Sequence, residues 1–180
     1  MEIYFASSNM HKFSEAKAVL SNHKLTHFPF DYNELRYDTP TEIAIDAVIE
    51  AYRRVKKPIF VEDSGLFIDS LNGFPGTFSA WALKKISLEG ILTLLKNKTD
   101  RNSHFESSIA YHDGSNIHVF KGVTEGEISK LISGKDGFGY DPIFIPRGYD
   151  QTFAQSIELK NKLSHRYKSL LHFSKMLNGV

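Results

Sequence analysis

Apolar residues recur along this chain with two periods, one suited to strands and one to helices. Ile3-Tyr4-Phe5-Ala6 is a short apolar run that predicts a first strand. From His11 to Leu20 the period changes: Phe13, Ala16 and Leu20 fall on one helical face, with Ser8 or Asn9 as candidate cap. Leu25 to Phe30 predicts a second strand, and Asp31 to Asp38 is polar and irregular. Thr39-Pro40-Thr41-Glu42 marks a helix start, with Thr39 as cap, Pro40 in the first position and Glu42 completing a capping box. The stripe Ile43, Ala47, Ala51, Val55 carries that helix to Lys56-Lys57. Ile59-Phe60-Val61, bounded by Pro58 and Gly65, predicts a buried strand. The preceding helix then reads as a crossover between strands.

Leu66 to Leu71 extends the sheet, and Asn72-Gly73-Phe74-Pro75-Gly76 is a turn cluster. Ser79 to Ile86 predicts a short helix, with Trp81 expected to pack. A second follows from Leu88 to Lys96 with Leu88, Ile91, Leu92 and Leu95 as its core face. Asn102–His112 and Asn116–Glu127 alternate apolar and polar positions around Asp113-Gly114, the pattern of a long antiparallel hairpin. Ile143 to Ile145 is a short strand. Ser156 caps a helix through Lys160 and Lys162, and a last helix runs from Ser164-His165-Arg166 to Met176 with Leu170, Phe173 and Leu177 inward. Strands and helices in this order predict an α/β fold.

Composition narrows the function classes. At 180 residues the chain is expected to be a single domain spanning 1–180, with two lobes as an option. Hydrophobic residues make up 41%, enough for a core. The 22 basic and 21 acidic residues leave a formal charge of +1, which argues against a general nucleic-acid or anionic-membrane binder. The absence of cysteine removes disulfides, zinc–thiolate sites, Fe–S clusters and thiol nucleophiles. No apolar stretch approaches the roughly 18 residues that span a bilayer. A soluble, cytoplasmic protein is expected.

The candidate chemistry begins at Glu62-Asp63, expected where the Ile59 strand leaves the sheet, a usual place for ligands in open α/β sheets. Two adjacent acids repel and need a cation or a basic partner; the alternative is a solvated acidic turn. The turn before the first helix ends in a helix N-terminus, which attracts anions. Lys12 in that first turn opposes the helix dipole, which suits a lysine facing a bound anion, although an exposed lysine of no consequence is the simpler reading. The stretch from Ser133 to Pro142 carries Gly134, Gly137 and Gly139 with Phe138, Tyr140 and Asp141, suited to a small-molecule pocket although it is no Walker A loop. His104, His112 and His118 lack metal-ligand spacing and read as surface residues. Ser164, His165 and Asp63 do not form a hydrolase triad, since the serine and histidine are adjacent and no nucleophile elbow exists. The acids Glu34, Glu62 and Asp63 and the cations Lys12, Lys160 and Arg166 together suit a metal-bound polyphosphate, with Phe138 as a face for a base.

These residues also carry a family resemblance. Ser7-Ser8-Asn9-Met10-His11-Lys12-Phe13-Ser14-Glu15 resembles the N-terminal signature of the inosine triphosphate pyrophosphatases, the Ham1-like family. Glu62-Asp63-Ser64-Gly65-Leu66, Leu71-Asn72-Gly73, Pro75-Gly76 and Ser79-Ala80 resemble its central motif. The stretch from Gly137 to Phe144, Thr152-Phe153-Ala154 and the run from Lys160-Asn161 to Ser164-His165-Arg166 resemble its C-terminal motifs. The resemblance spans residues 7 to 166 in order.

It implies a long, twisted mixed sheet flanked by helices, with two lobes around a central active-site cleft. It implies Mg²⁺-dependent hydrolysis of ITP, dITP and XTP to the monophosphate and pyrophosphate, in a homodimer. By motif, Ser7, Ser8, Asn9, Met10, His11, Lys12 and Lys160 hold phosphates. Asp63 is metal ligand and base, Ser64 lies next to the substrate, and Glu34 is the second metal-binding acid. Phe138, Gly139, Tyr140, Asp141, His165 and Arg166 resemble the base-recognition set. Phe67 and Trp81-Ala82 depart from the family's more usual residues and bear on fine specificity. The rival readings are a Maf-type pyrophosphatase and a module that binds a nucleotide or single-stranded nucleic acid without cleaving it.

Overall fold

The structure, a computed structural model, describes residues 2–31 and 37–179. A mixed seven-stranded sheet is formed by β1 (Glu2–Ala6), β2 (Lys24–Phe28), β3 (Ile59–Ile68), β4 (Pro75–Gly76), β5 (Asn102–His112), β6 (Ile117–Ile128) and β7 (Phe144–Pro146). The strand order is β2-β1-β3-β5-β6-β7, with β4 paired to β3. The helices are α1 (Met10–Val19), α2 (Pro40–Val55), α3 (Ser79–Leu94), α4 (Ile157–Leu163) and α5 (His165–Leu177). β1 lies parallel to both β2 and β3, so α1 and α2 are crossovers, as the alternating periods predict.

Each helix start has a local cause. Asn9 caps α1, its Oδ1 accepting from the backbone N–H of His11 at 2.9 Å and of Lys12 at 3.3 Å. Thr39 caps α2 with Pro40 in its first turn, and the helix stops at Lys56 in the left-handed region. Ser156 caps α4 through the N–H of Leu159 at 3.2 Å. The two helices expected between 79 and 96 are both present within α3, separated by a kink at Ser87, whose φ of +57° is non-helical.

By internal contacts the chain divides into two compact units. The first comprises residues 1–63, 107–122 and 165–180. Its core has two parts. On one, Phe5, Phe60, Tyr111 and Phe173 pack with Ala16 of α1, Leu20 at its C-terminal cap and Leu170 of α5. On the other, Ala6, Ile59, Val61 and Ala110 pack with Ala44, Ala47, Val48 and Ala51 of α2. The second unit comprises residues 64–106 and 123–164. Its core gathers Leu66, Ile68, Ile91, Leu95, Phe105, Ile143, Phe144 and Phe153.

Two expectations change. β3 does not end before Gly65; it runs on to Ile68, so Glu62 and Asp63 lie inside a strand, not where it leaves the sheet. Gly65 permits this by close packing: a Cβ there would stand 2.4 Å from the carbonyl oxygen of Gly76. Trp81 is 56% exposed, with the Lys85 ammonium over its ring, and is not a packing residue of the core. Among the described residues no helix is long and apolar enough to cross a membrane.

Candidate active site

The pleat of β3 decides what its two acids can do. Successive side chains of a strand point to opposite faces. Phe60 belongs to the α1/α5 side of the first unit's core and Val61 to the α2 side. Glu62 therefore faces α1 and α5, and Asp63 faces the side of α2. The two carboxylates do not share one position, and the repulsion expected of side-by-side acids is relieved by the backbone itself.

Glu62 is 3% exposed and collects the basic side chains of its face. The Lys12 ammonium lies 3.0 Å from Glu62 Oε2 and donates to the Glu62 carbonyl oxygen at 3.1 Å. Arg166 Nε lies 3.2 Å from the same Oε2, and Arg166 Nη1 donates to Glu15 Oε2 at 2.7 Å. Ser107 Oγ donates to Glu62 Oε1 at 2.7 Å. Burial pushes the Glu62 carboxyl up, but Arg166 and Lys12 outweigh it and hold the group well below the usual carboxylate range. Burial likewise disfavours charge on Arg166, and the Glu62 and Glu15 carboxylates reverse that, raising its pKa. The first-turn lysine thus has a carboxylate of its own chain to face.

The loop before α1 is folded on itself. Ser7 is buried; its Oγ accepts from the Asn9 N–H at 3.1 Å, and His27 Nε2 lies 2.7 Å from its carbonyl oxygen. Ser8, Met10 and His11 are exposed, while Asn9 and Lys12 are half-buried. Because Lys12 binds Glu62, the loop and the acids of β3 come together within one unit. Asp63 is 7% exposed and Ser64, at the start of the second unit, is half-buried. Glu34 lies outside the described residues.

The second unit brings Phe138, Gly139, Tyr140, Asp141 and Lys160 together. Asp141 Oδ2 accepts from the Phe138 N–H at 2.7 Å and from the Lys160 ammonium at 2.7 Å. That ammonium also lies 4.1 Å from the centre of the Phe138 ring, a cation–π contact. Lys160 is 2% exposed. Tyr140 is buried, donates to the Ser79 carbonyl at 2.7 Å, and is pushed up in pKa by burial. The Thr152–Ala154 segment fastens the glycine loop: the N–H groups of Lys135 and Asp136 both donate to the Ala154 carbonyl at 3.1 Å. At Gly134, with φ of +87°, a Cβ would stand 2.2 Å from the Ala154 carbonyl carbon.

Sequence reasoning missed Ser107 and Ser169, and it gave Glu15 a place in the N-terminal motif but no partner. Glu15 closes the N-terminal motif, one helical turn beyond Lys12, and its placement beside Arg166 was legible only from the fold. Ser107 stands in a strand whose neighbours Ile109 and Ala110 are fully buried, and a small hydroxyl there was the available signal. Of the three hairpin histidines, His112 stacks on Tyr52, His104 on Phe67, and His118 lies 2.7 Å from Asp113.

Known proteins resemble this chain along its whole length. The chain is 41% identical over 180 residues to the dITP/XTP pyrophosphatase of Thermococcus kodakarensis, covering 98% of this chain and 97% of that protein. It is 42% identical over 178 residues to the dITP/XTP pyrophosphatase of Methanopyrus kandleri, covering 97% and 95%. The solved Ham1 protein of Staphylococcus aureus superposes with a TM-score of 0.88 at 34% identity, covering 99% of both chains. The HAM1 protein of Coxiella burnetii does so with a TM-score of 0.89 at 31% identity, covering all of both. The profile of the Ham1 family matches residues 3–176, and the chain, in sequence and in fold, belongs to that family.

Proposed function

We propose that this protein hydrolyses ITP, dITP and XTP to the nucleoside monophosphate and pyrophosphate. The observation that carries the reading is the Lys12–Glu62 pair, which ties the loop at 7–12 to the acids of β3. A helix N-terminus with a lysine beside a buried carboxylate strand suits a polyphosphate and its metal. Support also comes from relatives named dITP/XTP pyrophosphatase at about 40% identity over nearly the whole chain.

In this reading Ser7, Ser8, Asn9, Met10, His11 and Lys12 take the phosphates, with Lys160 a further substrate-binding cation. Ser64 lies next to the substrate. Asp63 takes a proton from a water whose oxygen bonds to the α-phosphorus. The bond from that phosphorus to the oxygen bridging to the β-phosphorus breaks, and pyrophosphate leaves. Phe138 supplies a stacking face, with Gly139, Tyr140 and Asp141 completing its loop. His165 and Arg166 present donors to the 6-keto group of hypoxanthine or xanthine. Adenine offers an amine at that position and leaves such donors unpaired.

The donor set fits Mg²⁺. Asp63 offers hard oxygens, and among the described residues no three His, Cys, Asp or Glu side chains converge. Mg²⁺ asks for no more, since it takes one or two carboxylates together with substrate phosphates. Asp63 would hold it, with Glu34 as the second acid. When bound it supplies charge neutralisation at the phosphates and lowers the pKa of a bound water. We further place the protein in the cytoplasm as a homodimer; sedimentation of the purified protein checks the dimer.

The test is product analysis on ITP, dITP, XTP, GTP and ATP with and without Mg²⁺. Pyrophosphate in one step from ITP, dITP and XTP is expected, with ATP and GTP poor. Inorganic phosphate released first, with the diphosphate accumulating, would overturn the site of attack.

A further inference from the structure

Glu62 stands beside the proposed base but takes no part in the proposed reaction. Both of its side-chain oxygens are engaged. Oε2 has Lys12 Nζ at 3.0 Å and Arg166 Nε at 3.2 Å, and Oε1 accepts from Ser107 at 2.7 Å. Ser107 has a single hydroxyl proton. If it goes to Glu62, the contact of 2.9 Å between Ser107 and Ser169 must have Ser169 as donor. Ser169 too has a single proton, so while it donates to Ser107 it does not donate to the Arg166 carbonyl oxygen, which lies 3.0 Å from its Oγ.

Two observations separate this carboxylate from any metal held by Asp63. The strand pleat directs the two side chains to opposite faces. A divalent cation at Oε2 would also meet an ammonium and a guanidinium already close to that atom, where like charges repel strongly at low dielectric.

We propose that Glu62 is a positioning residue and not a metal ligand: it is the buried counter-ion that sets Lys12 and Arg166, with Ser107 fixing its orientation. Lys12 needs such a device, because a lysine has four rotatable carbons and an ammonium with no preferred direction. Contacts to both the carboxylate and the carbonyl of one residue give it a direction. The inference rests on the assignment of Lys12 to phosphates.

The probes are Mn²⁺ alone and inorganic tripolyphosphate with Mg²⁺, the latter keeping the phosphates and omitting the base. Titration of Mn²⁺, followed by its electron paramagnetic resonance signal, should give Glu62→Gln a Kd within about twofold of wild type, whereas Asp63→Asn should weaken binding at least tenfold. Calorimetry of tripolyphosphate should show about tenfold weaker binding for both Glu62→Gln and Lys12→Met. The double variant should lose no more than the worse single one, as residues acting through one another do. Loss of Mn²⁺ binding in Glu62→Gln, or additive losses in the double variant, overturns the proposal. If Glu62→Gln does not fold, the cycle of Ser107→Ala with Lys12→Met decides in the same way. A wild-type protein that binds tripolyphosphate but turns over no ITP, XTP or dITP sinks the hydrolase reading and leaves Glu62's role intact.

Discussion

Lys12 shows how a single residue can be read correctly as unusual and for an incomplete reason. A cation in the first turn of a helix opposes the dipole, and the sequence shows that much. Its partner, Glu62, lies 50 residues away, and only the parallel pairing of β1 with β3 brings it near. Asp63 is a candidate acid by its neighbours in the motif; its separation from Glu62 by the strand pleat was not legible, because Gly65 suggested that the strand had ended. Asp63→Asn keeps size and removes both metal charge and basicity. It should lower kcat by about a hundredfold or more while the unfolding transition stays in place; near-normal turnover would remove Asp63 from the chemistry. Arg166→Ala should have two consequences. It deprives the buried Glu62 of its guanidinium partner, a change that costs about 3–5 kcal/mol in denaturant unfolding when buried pairs are broken. It should also narrow the ITP-to-ATP ratio of kcat/KM, and an unchanged ratio would transfer Arg166 from the base to the phosphates.

At the scale of elements, periodicity and caps located the α-helices and the longer strands among the described residues, since amphipathic stripes survive without knowledge of partners. The failures occur where two backbones meet. Gly65 was read as a strand end because glycine usually punctuates; here it is glycine so that β4 can come close. Gly122 is the same kind of position, in the middle of β6, and drew no notice in the sequence. A Cβ there would stand 2.1 Å from the His165 carbonyl oxygen and 2.5 Å from the Ser169 N–H nitrogen. Both atoms are backbone of α5, which has little freedom to yield. Gly122→Ala should therefore destabilise the protein by about 1–3 kcal/mol, read as a lowered urea midpoint with unchanged slope. Because α5 carries Arg166 and Ser169, the same variant should weaken tripolyphosphate binding, whereas Gly148→Ala, where a Cβ meets nothing, should leave that binding unaltered.

For the whole molecule the decisive quantity is charge, and it acts through pairing more than through the total. The formal charge of +1 already argues against a polyanion binder. The structure sharpens this. In the first unit two cations, Lys12 and Arg166, meet two carboxylates, Glu62 and Glu15. In the second, Lys160 meets Asp141. Each cluster is neutral within itself, before the charge of Asp63 is counted. In the proposed function a triphosphate carrying several negative charges meets cations that already pair with carboxylates, and charges already paired gain little from a further anion. In that reading the balancing charge arrives with Mg²⁺. Removing Mg²⁺ with EDTA should weaken binding of a non-hydrolysable α,β-methylene analogue of ITP at least a hundredfold by calorimetry, while raising salt from 50 to 200 mM at saturating Mg²⁺ should change it only severalfold. A nucleic-acid binder behaves in the opposite way: contacts to 6–10 phosphates lose about 10³–10⁵ in affinity over that salt range and need no divalent ion. Tight binding of that analogue in EDTA, or single-stranded oligonucleotide binding with that steep salt dependence, would return the protein to the class of nucleotide or nucleic-acid binding modules.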